Sequence, residues 1–305
     1  MSIEYHRRLL ADRARNRALH KALKSVIRPG ETTVADVGAG TGFLGFLAGR
    51  LGAKNVYLYE RGAIHGLSLR LARRNRISRC EFLPEHSTLV LDAPKVDVVV
   101  SETLGNFAYE ENIIETLADA RRFLNPGGTV IPRRVECFVA PVVSDRWYRP
   151  LRAWDRVGFG LDFSAARDMS LNNMYVHRIR AGALLSGPKC ARRWDTVDFG
   201  RRNGGLRRGT VNWRMERAVT VYGLAMWWHA ELVPGVELTT SPFAPRTHWE
   251  QLYLPVKEPI ALKRGEELAT TIRSDSRAGH GVYVDWRFIW PGGAQHLDMR
   301  RGMIE

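Results

Sequence analysis

The chain has 305 residues, of which 45% are hydrophobic, so it can form one large domain or two ordinary ones with a real core. A formal net charge of +14 favours acidic partners, anionic substrates or nucleic acid. The three widely spaced cysteines argue against a disulfide framework or a zinc site. No apolar run approaches the roughly 18 residues of a membrane span, and no signal-peptide core is evident, so we expect a soluble, cytoplasmic protein.

The first segment of the chain predicts an amphipathic helix over residues 3–27, because its leucines and alanines recur near the helical period. Pro29 and Gly30 end it. The opposite face is basic. It could touch a nucleic acid, although a charged helix face is more often simply solvated.

The next segment has the order of a nucleotide-binding unit: a strand at residues 33–37, a glycine loop, and a helix at residues 43–51. The loop glycines are Gly38, Gly40 and Gly42. The third glycine lies two positions after the second instead of three. This spacing favours S-adenosylmethionine, which has no phosphate to bind, over a dinucleotide with its pyrophosphate. The following strand ends at Glu60, a position from which a carboxylate can accept hydrogen bonds from ribose hydroxyls.

Alternating helices and strands continue to about residue 132 and predict a parallel sheet with helices on both faces. The predicted elements are a helix at 63–75, strands at 79–83 and 96–100, a helix at 111–124 and a turn at 125–128. Ser87 follows the third strand, where it could meet an adenine edge or be an ordinary loop serine.

An acidic loop, residues 101–111, leaves the carboxyl end of the buried strand at 96–100. Open parallel sheets place their ligands at that edge. Glu102 and Glu111 flank a turn that contains Gly105, so a loop folded back there could present two carboxylates to one cation. Two close carboxylates repel each other, and we expect at least one raised pKa.

The second half of the chain reads as antiparallel strands separated by turns. Residues 154–187 interrupt this series of strands with glycines, polar residues and short helical patches. Residues 192–217 form an arginine-rich tract with a glycine-rich centre at 200–209. The tract could bind phosphates of a nucleic acid or an acidic protein surface, or it could be a solvated hairpin tip.

Two motifs together resemble protein arginine methyltransferases: the acidic loop with Ser101, Glu102, Gly105 and Glu111, and the segment Thr247-His248-Trp249. The likeness is to type I-like members and extends over nearly the whole chain. It implies an N-terminal helix (1–27) that closes over the cofactor and a Rossmann-like S-adenosylmethionine-binding domain (28–132). It also implies a β-barrel-like substrate domain (133–305), whose dimerisation arm, at about 154–187, would make the protein a homodimer.

The resemblance also implies residue roles. The cofactor contacts would be His6, Arg15, Asp36, Gly38, Gly40, Gly42, Glu60, Ser87 and Glu102, with Arg15 on the methionyl carboxylate. The catalytic residues would be Glu102 and Glu111, which grip the acceptor, and His248 paired with Asp12 as a proton relay or a structural pair. The acceptor pocket would include Trp249, Leu9, Asn106 and Ile113. Leu9 and Ile113 replace a frequent methionine, and Asn106 a frequent aromatic residue.

We therefore expect an enzyme that methylates the guanidino group of arginine in proteins or peptides with S-adenosylmethionine. One alternative is a methyltransferase of free arginine or another small guanidine or amine. The other is a non-catalytic nucleic-acid-binding or scaffold protein. The tract around residues 200–209 could itself be a target of self-methylation.

Overall fold

The N-terminal residues form two helices in the computed structural model, which describes residues 3–277, 279 and 281–303. Helix α1 (Ile3–Ala11) and helix α2 (Arg13–Val26) are separated by Asp12. Asp12 has extended backbone angles, and its side chain caps α2 by accepting a hydrogen bond from the backbone N of Arg15 at 3.0 Å. The prediction of one helix over residues 3–27 is therefore wrong.

Five parallel strands form the first sheet, with helices in their connections. The elements are β1 (Thr33–Val37), α3 (Phe43–Arg50), β2 (Asn55–Tyr59), α4 (His65–Arg74), β3 (Cys80–Leu83), β4 (Val96–Val100), α5 (Ile113–Ala120) and β5 (Leu124–Ile131), with short 3-10 helices at Ser87–Leu89 and Arg121–Phe123. The predicted turn at 125–128 instead lies inside β5, where the pairing with β4 shifts register. The proline and glycines are accommodated by that irregularity.

The order of this sheet is β3-β2-β1-β4-β5, and every pair is parallel. The chain leaves β1 towards β2 and β3 and then returns to the other side of β1 to form β4. The connections after β1 and β4 therefore diverge at the carboxyl edge, and the crevice between them is where such sheets bind ligands. The glycine loop and the acidic loop are these two connections.

Antiparallel sheets form the second half of the chain. The elements are β6 (Arg134–Val142), α6 (Tyr148–Leu151), α7 (Ser164–Leu171), β7 (Tyr175–His177), β8 (Arg192–Asp198), β9 (Leu206–Arg214), β10 (Val219–Val233), β11 (Val236–Thr239), β12 (Gln251–Leu262), β13 (Glu267–Asp275), β14 (Tyr283–Trp290) and β15 (Gly293–Asp298). Further 3-10 helices are Arg152–Arg156, Ala181–Ala183, Gly187–Cys190 and Met299–Arg301. One sheet has the order β7-β12-β10-β6-β8, with β11 on β10, and the other has β15-β14-β13-β9. The predicted fold, a Rossmann-like sheet followed by antiparallel sheets, is confirmed.

Buried apolar side chains of both halves belong to one continuous core. Trp228 of β10 is 1% exposed and contacts the acidic loop through its indole N–H. The segment between β6 and β7 differs from this core, because Phe159 and Leu161 are 94% and 62% exposed. No helix within residues 3–277, 279 and 281–303 is long and apolar enough to cross a membrane.

Candidate active site

A cavity of about 150 Å³ lies at the carboxyl edge of the parallel sheet, under α1 and the start of α2. The predicted site residues that line it are His6, Leu9, Arg15, Asp36, Gly38, Gly40, Glu60, Glu102 and Glu111. The other predicted site residues are outside its lining: Asp12, Gly42, Ser87, Asn106, Ile113, His248 and Trp249. The structure thus brings both acidic-loop glutamates to the same cavity as the glycine loop.

The glycine loop lies close to α1. Gly40 has a φ of 54°, and a Cβ built on it would lie 3.1 Å from the His6 ring, so a side chain there would crowd the helix. The backbone N of Gly40 donates to Glu60 Oε2 at 2.8 Å, and that of Gly62 donates to Oε1 at 2.6 Å. Each carboxylate oxygen of Glu60 keeps a further lone pair with which it can accept a hydrogen bond from a ligand.

Asp36 and Gly42 hold the start of α3 beside this loop. The buried Asp36 side chain accepts a hydrogen bond from the backbone N of Gly45 at 2.8 Å, and burial raises its pKa to about 7. Gly42 is the N-cap residue of α3. Ser87 is 2% exposed, and its Oγ has no hydrogen-bond partner among the described residues. The predicted adenine contact of Ser87 therefore stays a prediction.

The first glutamate of the acidic loop is paired with Arg15. The Arg15 Nε donates to Glu102 Oε2 at 2.7 Å, and Nη2 contacts the same oxygen. The two side chains are 6% and 5% exposed. Burial raises the pKa of Glu102, and the Arg15 charge offsets part of that rise. Arg15 therefore reaches the cavity, but the partner that it binds there is Glu102.

The second glutamate, Glu111, accepts a hydrogen bond from the Tyr5 hydroxyl at 3.2 Å. Burial raises the pKa of Glu111 to about 7, and the charge of Glu102 adds to the rise. This direction agrees with the expectation for two neighbouring carboxylates. Tyr5 was not among the predicted site residues. A tyrosine on a helix so far along the chain from Glu111 gave no local signal of that contact.

His248 and Asp12 form a close pair beside the cavity. His248 Nδ1 lies 2.9 Å from Asp12 Oδ2, and the backbone N of His248 donates to the same oxygen at 2.7 Å. Hydrogen bonding to His248 and to the Arg15 backbone lowers the pKa of Asp12, although burial alone would raise it. The pair fastens the Thr-His-Trp segment to the cap of α2. Its predicted role as a proton relay stays a prediction.

The backbone of the acidic loop is held from the β half. Trp228 Nε1 donates to the carbonyl of Gly105 at 2.9 Å, and Trp249 Nε1 donates to the carbonyl of Leu104 at 2.8 Å. Asn106 Oδ1 accepts a hydrogen bond from the backbone N of Glu250 at 2.9 Å. Trp249 and Asn106 thus support the loop from outside the cavity.

Ile113, at the start of α5, is fully buried in the core and is not part of the cavity lining. Leu9 alone among the four predicted acceptor-pocket residues lines the cavity.

Two further residues of the loop carry structural contacts that the sequence did not indicate. Glu110 folds back, and its carboxylate accepts hydrogen bonds from the backbone N of Asn106 at 3.1 Å and of Phe107 at 3.2 Å. The Tyr109 hydroxyl donates to Asp195 Oδ2 at 2.8 Å. Glu110 is therefore used to close the turn, which leaves Glu102 and Glu111 as the glutamates of the acidic loop that line the cavity.

Comparison with known proteins identifies two family models. The arginine methyltransferase oligomerization subdomain matches residues 133–288, slightly more than half of the chain, and the ribosomal protein L11 methyltransferase (PrmA) model matches residues 18–133. The histone-arginine methyltransferases CARMER of Anopheles gambiae and Drosophila grimshawi are 27% identical over 271 and 266 residues. Each alignment covers 83% of this chain but 43% and 49% of the relative. The chain spans about half the length of the curated relatives that it matches.

Two solved structures share the fold. The Trypanosoma brucei PRMT1 enzyme-prozyme heterotetrameric complex with AdoHcy matches with a TM-score of 0.85 at 20% identity, over 97% of this chain and 98% of that one. Arabidopsis thaliana protein arginine methyltransferase 10 matches with a TM-score of 0.80 at 20% identity, over 98% of each chain. Both share the arrangement of a parallel and an antiparallel half over nearly the full length. With the family model that covers residues 133–288, this shows that the chain belongs to the protein arginine methyltransferase family.

Proposed function

We propose that the protein transfers a methyl group from S-adenosylmethionine to the guanidino group of an arginine in a protein or peptide. The observation that carries the proposal is the meeting of Glu102 and Glu111 in one cavity with the glycine loop and Glu60. The relatives named histone-arginine methyltransferase and the trypanosome structure with AdoHcy support the same chemistry.

The residues present fit S-adenosylmethionine. The cavity of about 150 Å³ takes only part of such a ligand, and a neighbouring groove of about 730 Å³ also includes His6 and Glu60. Glu60 would accept hydrogen bonds from the ribose, and Arg15, with donors to spare, would bind the methionyl carboxylate. When bound, S-adenosylmethionine supplies an electrophilic methyl group.

A cationic acceptor fits the cavity best, because Arg15 offsets the charge of Glu102 only in part and Glu111 has no cationic partner among the described residues. A guanidinium keeps its proton near neutral pH and presents a planar set of donors that matches carboxylates. Glu102 and Glu111 would bind it through charge-assisted hydrogen bonds and fix the direction of the attacking nitrogen. With a pKa of about 7, the Glu111 carboxyl can hold a proton when the site is empty. Arrival of the cation favours the charged carboxylate, so that proton would be released.

A neutral acceptor would leave the Glu111 charge without a cationic partner or would keep its carboxyl protonated, and either state disfavours binding relative to a cation. The same reasoning applies to free arginine, which carries the same cation. Selection of a protein or peptide acceptor is therefore part of the proposal, to be separated from small guanidines by experiment.

Assembly and location complete the proposal. The oligomerization-subdomain match supports an oligomer, and we extend this to a homodimer through residues 154–187, where Trp154, Phe159 and Leu161 expose apolar surface. Cys80, Cys137 and Cys190 are all free thiols, which supports a reducing compartment such as the cytoplasm.

The test measures methyl transfer with isotope-labelled S-adenosylmethionine and an arginine peptide. Glu111→Gln and Glu102→Gln should each lower kcat at least about 100-fold, since each removes a charge that holds the reacting cation. Glu111→Gln should leave cofactor affinity within about threefold, because Glu111 holds the acceptor. Glu102→Gln is the less selective variant, since it also releases Arg15. Glu81→Gln, at an exposed position of β3, is the matched control.

A peptide with lysine in place of arginine, and free arginine, serve as further acceptors. Near-normal transfer by the Glu102→Gln/Glu111→Gln double variant would contradict the mechanism. Faster transfer to free arginine than to any peptide would identify the small-guanidine alternative.

A further inference from the structure

A wide groove of about 1360 Å³ lies along β5, the edge strand of the parallel sheet, and shares no lining residue with the candidate active site. It is lined by Lys95 just before β4, by most of β5 and the 3-10 helix before it, and by the loop between β8 and β9. Both halves of the molecule therefore contribute to it. Its cationic side chains are Lys95, Arg121, Arg122, Arg133, Arg201 and Arg202.

The cations of this groove outnumber their partners. Three are paired: Arg122 with Asp119 at 3.1 Å, Arg133 with Glu231 at 3.2 Å, and Arg201 with Asp198 at 3.8 Å. The other three are Lys95, Arg121 and Arg202, and within residues 3–277, 279 and 281–303 none of them forms a salt bridge. Lys95 Nζ instead donates to the backbone carbonyl of Arg122 at 2.6 Å. The groove thus holds positive charge that the described part of the chain does not neutralise.

Several other arginines of the arginine-rich tract have partners inside the molecule. Arg193 contacts Glu136 at 2.5 Å, and Arg207 contacts Asp195 at 2.6 Å. Arg192 donates to the backbone carbonyls of Lys189 and Asn212. Arg201 and Arg202 face the groove from the loop that joins β8 to β9, and Arg202 is the one without a carboxylate partner among the described residues. Arg208, Arg214 and Arg217 are exposed and form no salt bridge within the described residues, but they lie outside the groove, where Arg202 meets the unpaired cations Lys95 and Arg121.

The groove is also separate from the methyl-transfer cavity. Lys95 directly precedes β4, whereas Glu102 follows its carboxyl end, and five residues of extended strand span about 16 Å. A group held at Lys95 and Arg121 therefore cannot contact Glu102 or Glu111. The groove and the cavity also share no lining residue.

Apolar surface between the cations indicates what kind of anion fits. Leu124 and Pro234 line the groove together with the basic residues and are at least partly exposed, whereas Val130 and Val233 are buried beneath it. None of its described lining residues is aromatic, whereas sites for single-stranded nucleic acid rely on stacking of bases on aromatic rings. Aliphatic side chains among cations match a polypeptide that alternates acidic and aliphatic residues.

We propose that this groove docks an acidic segment of a partner protein, with carboxylates on Lys95, Arg121 and Arg202 and aliphatic side chains on Leu124 and Pro234. Attraction between the groove and such a segment would be long-ranged and sensitive to salt.

The test is fluorescence anisotropy with three labelled probes of equal charge. The first is a peptide that alternates Glu or Asp with Leu or Val, the second has Gly and Ser in place of the aliphatic residues, and the third is a single-stranded oligonucleotide. The first probe should bind best. In Arg121→Glu/Arg202→Glu its affinity should fall about tenfold or more, because two attractive contacts become repulsive.

The matched control is Arg208→Glu/Arg287→Glu, which makes the same change in net charge at two exposed positions of the four-stranded sheet. It should change affinity less than threefold, as expected for charges outside the contact. Circular dichroism checks the folding of each variant, and Arg121→Gln/Arg202→Gln replaces the glutamate pair if that pair fails to fold. Equal losses in the groove and control variants, absence of binding, or tighter binding of the oligonucleotide than of the first peptide would overturn the proposal.

Discussion

The two ends of β4 carry opposite charge in opposite environments. At the carboxyl end, Glu102 and Glu111 line a buried cavity and are each held by a specific donor, Arg15 and Tyr5 respectively. At the amino end, the groove is open and basic, and some of its arginines, such as Arg202, are exposed and without a carboxylate partner among the described residues. A charge in water is stable without a partner, whereas a buried charge is costly unless it is hydrogen-bonded or paired.

This difference determines how each end responds to change. Substitutions in the acidic loop should alter stability as well as function, because buried carboxylates and backbone contacts depend on each other there. Substitutions of groove cations should alter binding while leaving the free energy of unfolding nearly unchanged, since exposed ion pairs contribute little. Measurements of stability, rather than of activity alone, can therefore separate the two ends.

The largest expected effect is the pH dependence that Glu111 gives to stability. Its folded-state pKa of about 7 lies above the ordinary 4.5, so between these values the folded protein binds more protons than the unfolded chain. Stability should therefore fall as pH rises through that window. Glu111→Gln removes this loss. The free energy of unfolding of the variant, relative to that of wild type, should therefore increase by about 2 kcal/mol between pH 5 and pH 8.

Urea unfolding of wild type and variant at several pH values checks this. Glu81→Gln, on the exposed side of β3, should follow the wild-type curve. A Glu111→Gln curve parallel to wild type would show that the Glu111 carboxyl titrates normally in the folded protein.

The next effect concerns the turn of the acidic loop. A Cβ on Gly105 would lie 2.1 Å from side-chain atoms of Glu110, whose carboxylate accepts hydrogen bonds from two backbone N–H groups of the loop. Gly105→Ala must displace that side chain, and we expect a loss of about 2 kcal/mol in the free energy of unfolding. Gly182→Ala is the control, because its Cβ would meet no atom within 4 Å.

Methyl transfer should fall with Gly105→Ala, since the turn sets the spacing of Glu102 and Glu111. Equal stability of the two alanine variants in thermal unfolding would show that Glu110 does not close the turn.

Local patterns were sufficient to predict the parallel half and the position of both loops. The strand at 96–100 is a short run of valines interrupted once, and a buried strand of that kind fixes where the following acidic loop begins. The glycine loop is likewise predicted from neighbouring residues alone. Because parallel strands align their carboxyl ends, these two predictions together already placed Glu60 and Glu102 at one edge of the sheet.

Contacts between distant residues could not be predicted in the same way. The break at Asp12 is favoured by its pairing with His248, 236 residues away, and the flanking residues suit a helix. The contact between Tyr5 and Glu111 spans 106 residues. The arginine-rich tract shows the same limit, because composition counts charges but does not show that Arg207 is neutralised by Asp195.

The smallest effect connects the two ends of the comparison. Tyr109 of the acidic loop donates to Asp195 on β8, and Arg207 on β9 binds the same carboxylate. The acidic loop is therefore anchored to β8 and β9, the two strands whose connecting loop lines the basic groove. Tyr109→Phe removes the buried hydrogen bond to Asp195 and the weaker one that the hydroxyl accepts from Cys137 Sγ at 3.3 Å, but it leaves the Arg207 contact to Asp195. We expect a loss of about 1 kcal/mol in the free energy of unfolding, measured by urea denaturation.

Tyr57→Phe on β2 is the matched control, since the Tyr57 hydroxyl makes no hydrogen bond within the described residues, and it should change stability by less than about 0.5 kcal/mol. Combining Tyr109→Phe with Asp195→Asn should cost less than the sum of the two single changes, because both remove the same contact. Additive costs would mean that Tyr109 and Asp195 act independently, and the acidic loop would then be held by Trp228 and Trp249 without help from the strands beside the groove.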